Sequence, residues 1–343
     1  FNRLSFEETT EREAVLNFRE SVDSNIDNLG KLGPVSVEFS GGIDSGVVFA
    51  RSSKLLGSNF KGGVTSNYPF FEFRREQIFR DKILKHVDSV SSDINYEEML
   101  PFLRIPDVPR HDEPSVGSTS WGQFSAANKL VNRLGARVLL TGHGGDVIFL
   151  IPPSLKIKMA QTRPVPNWVP KKLIGQMTEA SEDAIGYINR IVQPGFGGHW
   201  HPAMFEPGFL PRYASCEFPT VRYTSGLISR ETLRAAATLW FQNPKMHEYI
   251  QKPFGYLAFG DDIPKEVWAR PGKVNHLGNV YRGAKVSGMN ILNLAVKYSS
   301  IFELLGVSSR QFIEFTKGVI EGRDSGNQIF SQFLSVLIWL NSH

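Results

Sequence analysis

At 343 residues with 41 % hydrophobic and 12 % aromatic content, the chain can bury one large core or two smaller ones, which excludes global disorder. Its formal charge of +4 suits anionic ligands such as nucleotides or phosphates and is too weak an excess to argue for nucleic acid. Cys216 is the only cysteine, which rules out an internal disulfide or a cysteine-based metal cluster and fits a reducing, cytoplasmic setting.

The start, FNRLSFEETTEREAV, is polar and charged, so it is no signal peptide. It lacks an initiator Met, and the expectation is a processed chain or the later part of a longer one. No stretch approaches the ~20 apolar residues that span a bilayer. Ser5 to Asn28 reads as an amphipathic helix, with Leu16, Phe18 and Val22 on one side and charged residues on the other. Gly30, Gly33 and Pro34 end it. Val35 to Phe39 is a β-rich run broken by Ser40-Gly41-Gly42, and a helix follows through Val47, Val48, Ala50, Leu55 and Leu56. Phe60 to Thr65 is a second strand, Phe73 to His86 a charged helix and Ser89 to Asn95 a third strand. Gly117 to Leu134 reads as a helix and Arg137 to Thr141 as a fourth strand, broken by Gly142 to Asp146. This alternation predicts an α/β fold with a parallel sheet and helices on both faces.

Beyond Asp146 prolines and glycines cluster, from Pro152 to Pro170 and from Pro194 to Pro219. The later apolar runs read as helices: Ser229 to Gln242, Ile291 to Leu305, Gln311 to Ile320 and Gln328 to Leu340. The expected organisation is an N-terminal helix (1–33), then an α/β core (34–150) and a mainly helical half (151–343), the last two packed as one body.

Ser40-Gly41-Gly42-Ile43-Asp44-Ser45 joins a strand to a helix. Two glycines let the backbone approach an anion, consecutive N–H groups form an anion-binding nest, and the helix aims its N-terminal dipole at the same place. Ser40 and Ser45 add hydroxyl donors. Asp44 beside a phosphate is repulsive unless a cation lies between, and Mg²⁺ bridging the two resolves the conflict. The bland alternative is a glycine-rich turn in which Asp44 merely caps the helix. Thr141-Gly142-His143-Gly144-Gly145-Asp146 repeats the pattern after another strand. Ligands of open parallel sheets collect beyond the carboxyl ends of the strands, so the two loops imply one site in which Asp44 and Asp146 hold Mg²⁺ against pyrophosphate. The string matches neither GxxxxGK[ST] nor GxGxxG.

These two loops resemble those of the asparagine-synthetase-like family of ATP pyrophosphatases, which includes asparagine synthetase, β-lactam and carbapenam synthetases and the lasso-peptide cyclases. Asp112-Glu113-Pro114, a helix, then RVLLTGHGGDVIF follow the family's order, and Ser5 to Asn28 resembles the helix after its glutaminase-like domain. The resemblance implies a five-stranded parallel sheet of the adenine nucleotide alpha-hydrolase type, with the first strand central. It also implies ATP and Mg²⁺, a carboxylate substrate converted to its acyl-adenylate, and an amine that displaces AMP. Adenine would pack near Val64 and Thr65 beyond Val37, with Gly142 close to the ribose and Gly144 in the same loop.

Within the family, the GHGGD string is most similar to lasso-peptide cyclases, which close a macrolactam on a peptide precursor. β-Lactam-forming and asparagine-forming synthetases are the alternatives, and a tRNA-modifying adenylating enzyme a more distant one that lacks its RNA surface or zinc module here. His143 stands where β-lactam-forming relatives carry a Tyr that handles the amine, and imidazole suits a base near neutral pH. Arg270-Pro271-Gly272-Lys273 resembles the family's late Arg-x-x-Lys stretch, so Lys273, with Arg270 as understudy, is expected to counter transition-state charge. Glu179 or Glu182 is the expected carboxylate partner of His143. An N-terminal Cys nucleophile for glutamine hydrolysis is lacking, and Cys216 reads as structural. Expected partners are therefore a peptide or small-molecule carboxylate and a separate glutaminase-like domain or leader-peptide-processing protein, with no membrane and no nucleic acid. Phe73-Arg74-Arg75-Glu76 and Lys156-Ile157-Lys158 read as solvated faces, and His199 and His201 lack the companions of a zinc site.

Overall fold

Thr10 sets the start of the first helix, α1 (Glu11–Gly30), in the computed structural model. Its hydroxyl accepts from the Glu13 N–H at 3.3 Å, and the Glu13 carboxylate accepts from the Thr10 N–H at 2.8 Å, a reciprocal cap. Ala14, Phe18, Val22 and Ile26 recur every four residues, and all four are fully buried. Leu16, expected beside Phe18, is instead 47 % exposed. A two-residue offset turns it about 200° around the helix from Phe18, off the buried row. The residues described are 10–70, 73–110, 116–149, 221–241, 252–270, 272, 277–304, 306–324 and 328–343.

The α/β half follows the expected alternation. In chain order come β1 (Val35–Glu38), α2 (Ile43–Leu56), β2 (Phe60–Asn67), α3 (Arg74–Val87) and β3 (Ser91–Asn95). They are followed by α4 (Trp121–Arg133), β4 (Val138–Thr141), α5 (Gly145–Ile148), β5 (Arg222–Ser225) and α6 (Arg230–Phe241). The strands form a five-stranded parallel sheet in the order β3-β2-β1-β4-β5. The first strand is therefore central, as the adenine nucleotide alpha-hydrolase type requires. Val35, Val37, Val138 and Leu140 bury one face of β1 and β4 in a cluster with Val47 and Val48 of α2 and Phe18 of α1. β5 reads Arg-Tyr-Thr-Ser, too short and polar to announce a strand. It exists because β4 offers a free edge, pairing Leu139 with Tyr223 and Thr141 with Ser225.

The later chain is helical: α7 (Pro253–Phe259), α8 (Lys265–Trp268), α9 (Leu277–Val286), α10 (Gly288–Tyr298), α11 (Ser300–Glu303), α12 (Ser309–Ile320) and α13 (Gln328–Ser342). The single helix expected from Ile291 to Leu305 is two, divided at Ser299. The chain forms two compact units. One lies within Phe1–Asp93, Asn128–Thr162 and Asp183–Val274, and carries the tilted and edge-on ring cluster of Phe18, Phe149 and Phe259. The other lies within Ile94–Ala127, Arg163–Glu182 and Asn275–His343, and centres on Phe302, Phe312 and Phe333, with ring centroids 4.9–5.4 Å apart. Among the described residues no helix is long and apolar enough to cross a membrane.

Candidate active site

The loop between β1 and α2 is curled by its own side chains. The Ser40 N–H donates to Ser45 Oγ at 3.3 Å, the two hydroxyls lie 3.1 Å apart, and the Gly42 N–H donates to Ser40 Oγ at 3.3 Å. Gly41 has φ +84°, and a Cβ there would stand 2.7 Å from the Glu76 carbonyl oxygen and 2.9 Å from the Arg80 nitrogen. Only glycine lets the loop press this close to α3. Gly42 caps α2 without a side-chain hydrogen bond, and the first N–H groups of a helix have no partner within it, which suits this loop to an anion.

The second loop lies directly against the first. A Cβ on Gly142 would be 2.5 Å from the Ser45 nitrogen, and one on Gly145 would be 2.3 Å from Asp44 Cγ. Two glycine-rich turns at the carboxyl ends of neighbouring strands thus meet in close contact. Gly144 takes φ +91° where the turn enters α5. Asp146 follows Gly145 on α5, so its backbone lies one residue beyond the contact with Asp44.

Two cations reach this junction. The Lys252 ammonium, 2 % exposed, pairs with the Asp44 carboxylate from the start of α7. No sequence signal marks it as a site residue; only Pro253 at the first turn announces a helix start there. Arg270, also buried, donates through Nη1 to the Gly41 carbonyl at 3.3 Å and through Nε to the Gly272 carbonyl at 3.1 Å. Its Nη2 pairs with Glu76, and its guanidinium carbon lies 5.1 Å from the centre of the Phe79 ring. Glu76 is therefore not part of a solvated helix face as its charge run suggested. Its position on α3 turns it inward toward Arg270.

His143 is exposed at the tip of the second loop. Its N–H donates to Thr141 Oγ1 at 3.4 Å, and its carbonyl accepts from Ser225 Oγ at 2.6 Å. Ser225 also accepts from the Leu227 and Ile228 N–H groups at 3.0 and 3.1 Å, so one hydroxyl ties the His143 loop to the end of β5. Val37, Val64 and Thr65 are buried in the sheet beside the first loop. The Val64 carbonyl accepts from the Phe39 N–H at 2.8 Å, and the Thr65 hydroxyl donates to the Phe39 carbonyl at 2.5 Å and meets Ser91 Oγ at 2.7 Å. Lys273, Glu179, Glu182, Cys216, His199, His201, Lys156, Lys158 and Asp112 to Pro114 lie outside the described residues.

Asp44 offers one carboxylate to a divalent cation that would accompany phosphates. Mg²⁺ in nucleotide sites takes one or two carboxylates together with substrate phosphates. Asp44 stands on the first turn of the helix that forms the anion cradle, against the loop that carries Asp146. Among the described residues no group of three or more His, Cys, Asp or Glu side chains could form an all-protein cage. A sequence model described as asparagine synthase matches residues 18–205, more than half of the chain. No curated protein matches.

Proposed function

Because the chain belongs to the asparagine synthase family of ATP-dependent amide ligases, we propose that it adenylates a carboxylate, releases pyrophosphate and lets an amine displace AMP. The observation that carries this reading is the contact between the two glycine loops, with Asp44 of one against the Gly145 backbone of the other. In the first step a carboxylate oxygen attacks the α-phosphorus of ATP and pyrophosphate leaves. The cradle of Ser40, Gly41, Gly42 and Ser45 binds that leaving group through N–H and hydroxyl donors and the N-terminal end of α2. Asp44 and Asp146 would hold Mg²⁺, which supplies charge neutralisation on the phosphates.

In the second step an amine nitrogen attacks the acyl carbon, the bond to the AMP oxygen breaks, and the nitrogen loses a proton. His143, exposed at the loop tip, is the group proposed to take that proton. Lys273 and Arg270 are the proposed counter-charges to the anionic transition states. Adenine is assigned to the carboxyl end of β2 near Val64 and Thr65. The substrate class follows the GHGGD string: an acidic side chain of a peptide precursor, closed on its own amine into a macrolactam, as in lasso-peptide cyclases.

The test is ATP–pyrophosphate exchange with the purified chain and a panel of carboxylates, including acidic peptides, free aspartate and N-carboxyalkyl amino acids. Exchange that depends on a peptide supports the macrolactam reading. Exchange with aspartate, or with a β-amino acid carboxylate, replaces it by the asparagine-forming or β-lactam-forming alternative. Exchange with none of them, under conditions where ATP binds, removes the adenylation reading.

A further inference from the structure

We propose that Lys252 is a phosphate ligand of the bound nucleotide, held in readiness by Asp44; this rests on the ATP-dependent reading of the same site. The ammonium is buried to 2 % exposure and meets the carboxylate of the anion-cradle loop from a separate element, α7. Its backbone is well anchored: the Tyr256 N–H donates to the Lys252 carbonyl at 2.9 Å. A Cβ on Gly255 would be 2.7 Å from Phe149 Cγ, so α7 is pressed onto the chain just after α5.

A buried ion pair is a poor way to stabilise a fold, because desolvating both charges offsets much of their attraction and an apolar pair would pack as well. The location supplies the reason for keeping it. Asp44 lies in the first turn of α2, where the helix end is itself electropositive. An ammonium beside that end is tolerated only where negative charge lies against it, and the Asp44 carboxylate supplies such charge. Phosphate oxygens arriving at the Ser40–Ser45 cradle bring further negative charge to the same spot. Lysine is suited to meet them, since its ammonium is a compact point charge with three donors on a flexible stem. Asp44 is then shared with the cation that accompanies the phosphates, and the ammonium moves its hydrogen bonding toward the nucleotide.

The experiment measures binding of ATP with Mg²⁺, and of adenosine, to the full chain by calorimetry, with thermal melts as a check on folding. Lys252→Met is expected to weaken ATP binding about 10- to 100-fold, the size of a lost charge-assisted contact, while leaving adenosine binding unchanged. Lys252→Arg should recover part of that loss. Equal losses for ATP and adenosine, or unchanged ATP affinity, would overturn the proposal and leave Lys252 a structural counter-ion. If Lys252→Met does not fold, the comparison moves to Asp44→Asn and the double variant Asp44→Asn/Lys252→Met, in which no charge is stranded. A weaker ATP affinity in the double variant supports the assignment, and equal affinities overturn it. Wild-type protein that fails to bind ATP would overturn both this inference and the proposed function. Wild-type binding with an unaffected Lys252 variant would overturn this inference alone.

Discussion

A methyl group added at Gly145 would stand 2.3 Å from the carboxyl carbon of Asp44 and 2.7 Å from its Cβ. The Cβ is fixed to the first turn of α2, so it can retreat only by moving the glycine-rich loop that leads into that helix. Gly145→Ala is expected to cost about 1–3 kcal/mol in stability, as overpacking does. It should also abolish pyrophosphate exchange while far-UV circular dichroism stays native. Exchange at the wild-type rate would mean that the contact between the loops does not matter for the chemistry. His143 leads to a more selective expectation, because its side chain is exposed while its backbone is tied to Thr141 and Ser225. His143→Ala should keep adenylate formation and lose about 10²–10⁴-fold in amide formation, the size of a missing general base. AMP release measured beside amide product, with the adenylate trapped by hydroxylamine, separates the two steps. Loss of both steps would assign His143 to substrate placement.

Among the elements, α1, α2 and the turn after α7 are joined by one ionic network. Arg51 of α2 is 4 % exposed; it donates to both Asp23 carboxylate oxygens at 2.8 and 2.6 Å and to Asp262 at 2.9 Å. Arg19 shares Asp262 at 2.8 Å. Burial works against the Arg51 charge, but the hydrogen bonds and field of Asp23 and Asp262 outweigh it and raise its pKa above the ordinary guanidinium value. Removing the cation takes the Arg51 partner from Asp23 and leaves Asp262 to Arg19, both carboxylates being largely withdrawn from water. Arg51→Ala should therefore destabilise the fold by about 3–5 kcal/mol, read from urea unfolding. A loss below about 1 kcal/mol, the range of exposed pairs, would show that water screens the network. Much of this level was legible beforehand. The strand-to-helix alternation and the breaks at Ser40 and Gly142 gave element type and order, because hydrophobic period and glycine breaks are local properties. The reading of Leu16 as a buried partner of Phe18 failed because it took nearness in sequence for nearness around a helix.

On the scale of the whole molecule, the described parts of both glycine loops, α7 and Arg270 all belong to the first compact unit. ATP should therefore stabilise that unit first. With Mg²⁺ and nucleotide at about a hundred times Kd, the linkage amounts to about 2.7 kcal/mol, seen as a raised melting temperature. Hydrogen exchange should show slowed amides around Ser40–Ser45 and Gly142–Gly145, with little change in α10, α12 and α13 of the second unit. Equal protection across both units would assign the nucleotide a wider footprint than these loops.

The sequence by itself determined the parallel α/β class, the two glycine-rich turns and their common location at the carboxyl ends of neighbouring strands, because each depends on short-range pattern and on the rule that such turns gather at that edge of the sheet. It also carried the likeness to the asparagine-synthetase-like family, which the match over residues 18–205 bears out. Three things were decided only by tertiary structure. β5 became a strand because β4 presented an edge to pair with. Glu76 turned inward because Arg270, 194 positions away, lies against the loop and α3. Lys252 reached Asp44 across 208 positions through the packing of α7 on Phe149. A buried lysine and a surface lysine are the same letter, and only the folded chain decides which carboxylate stands beside it.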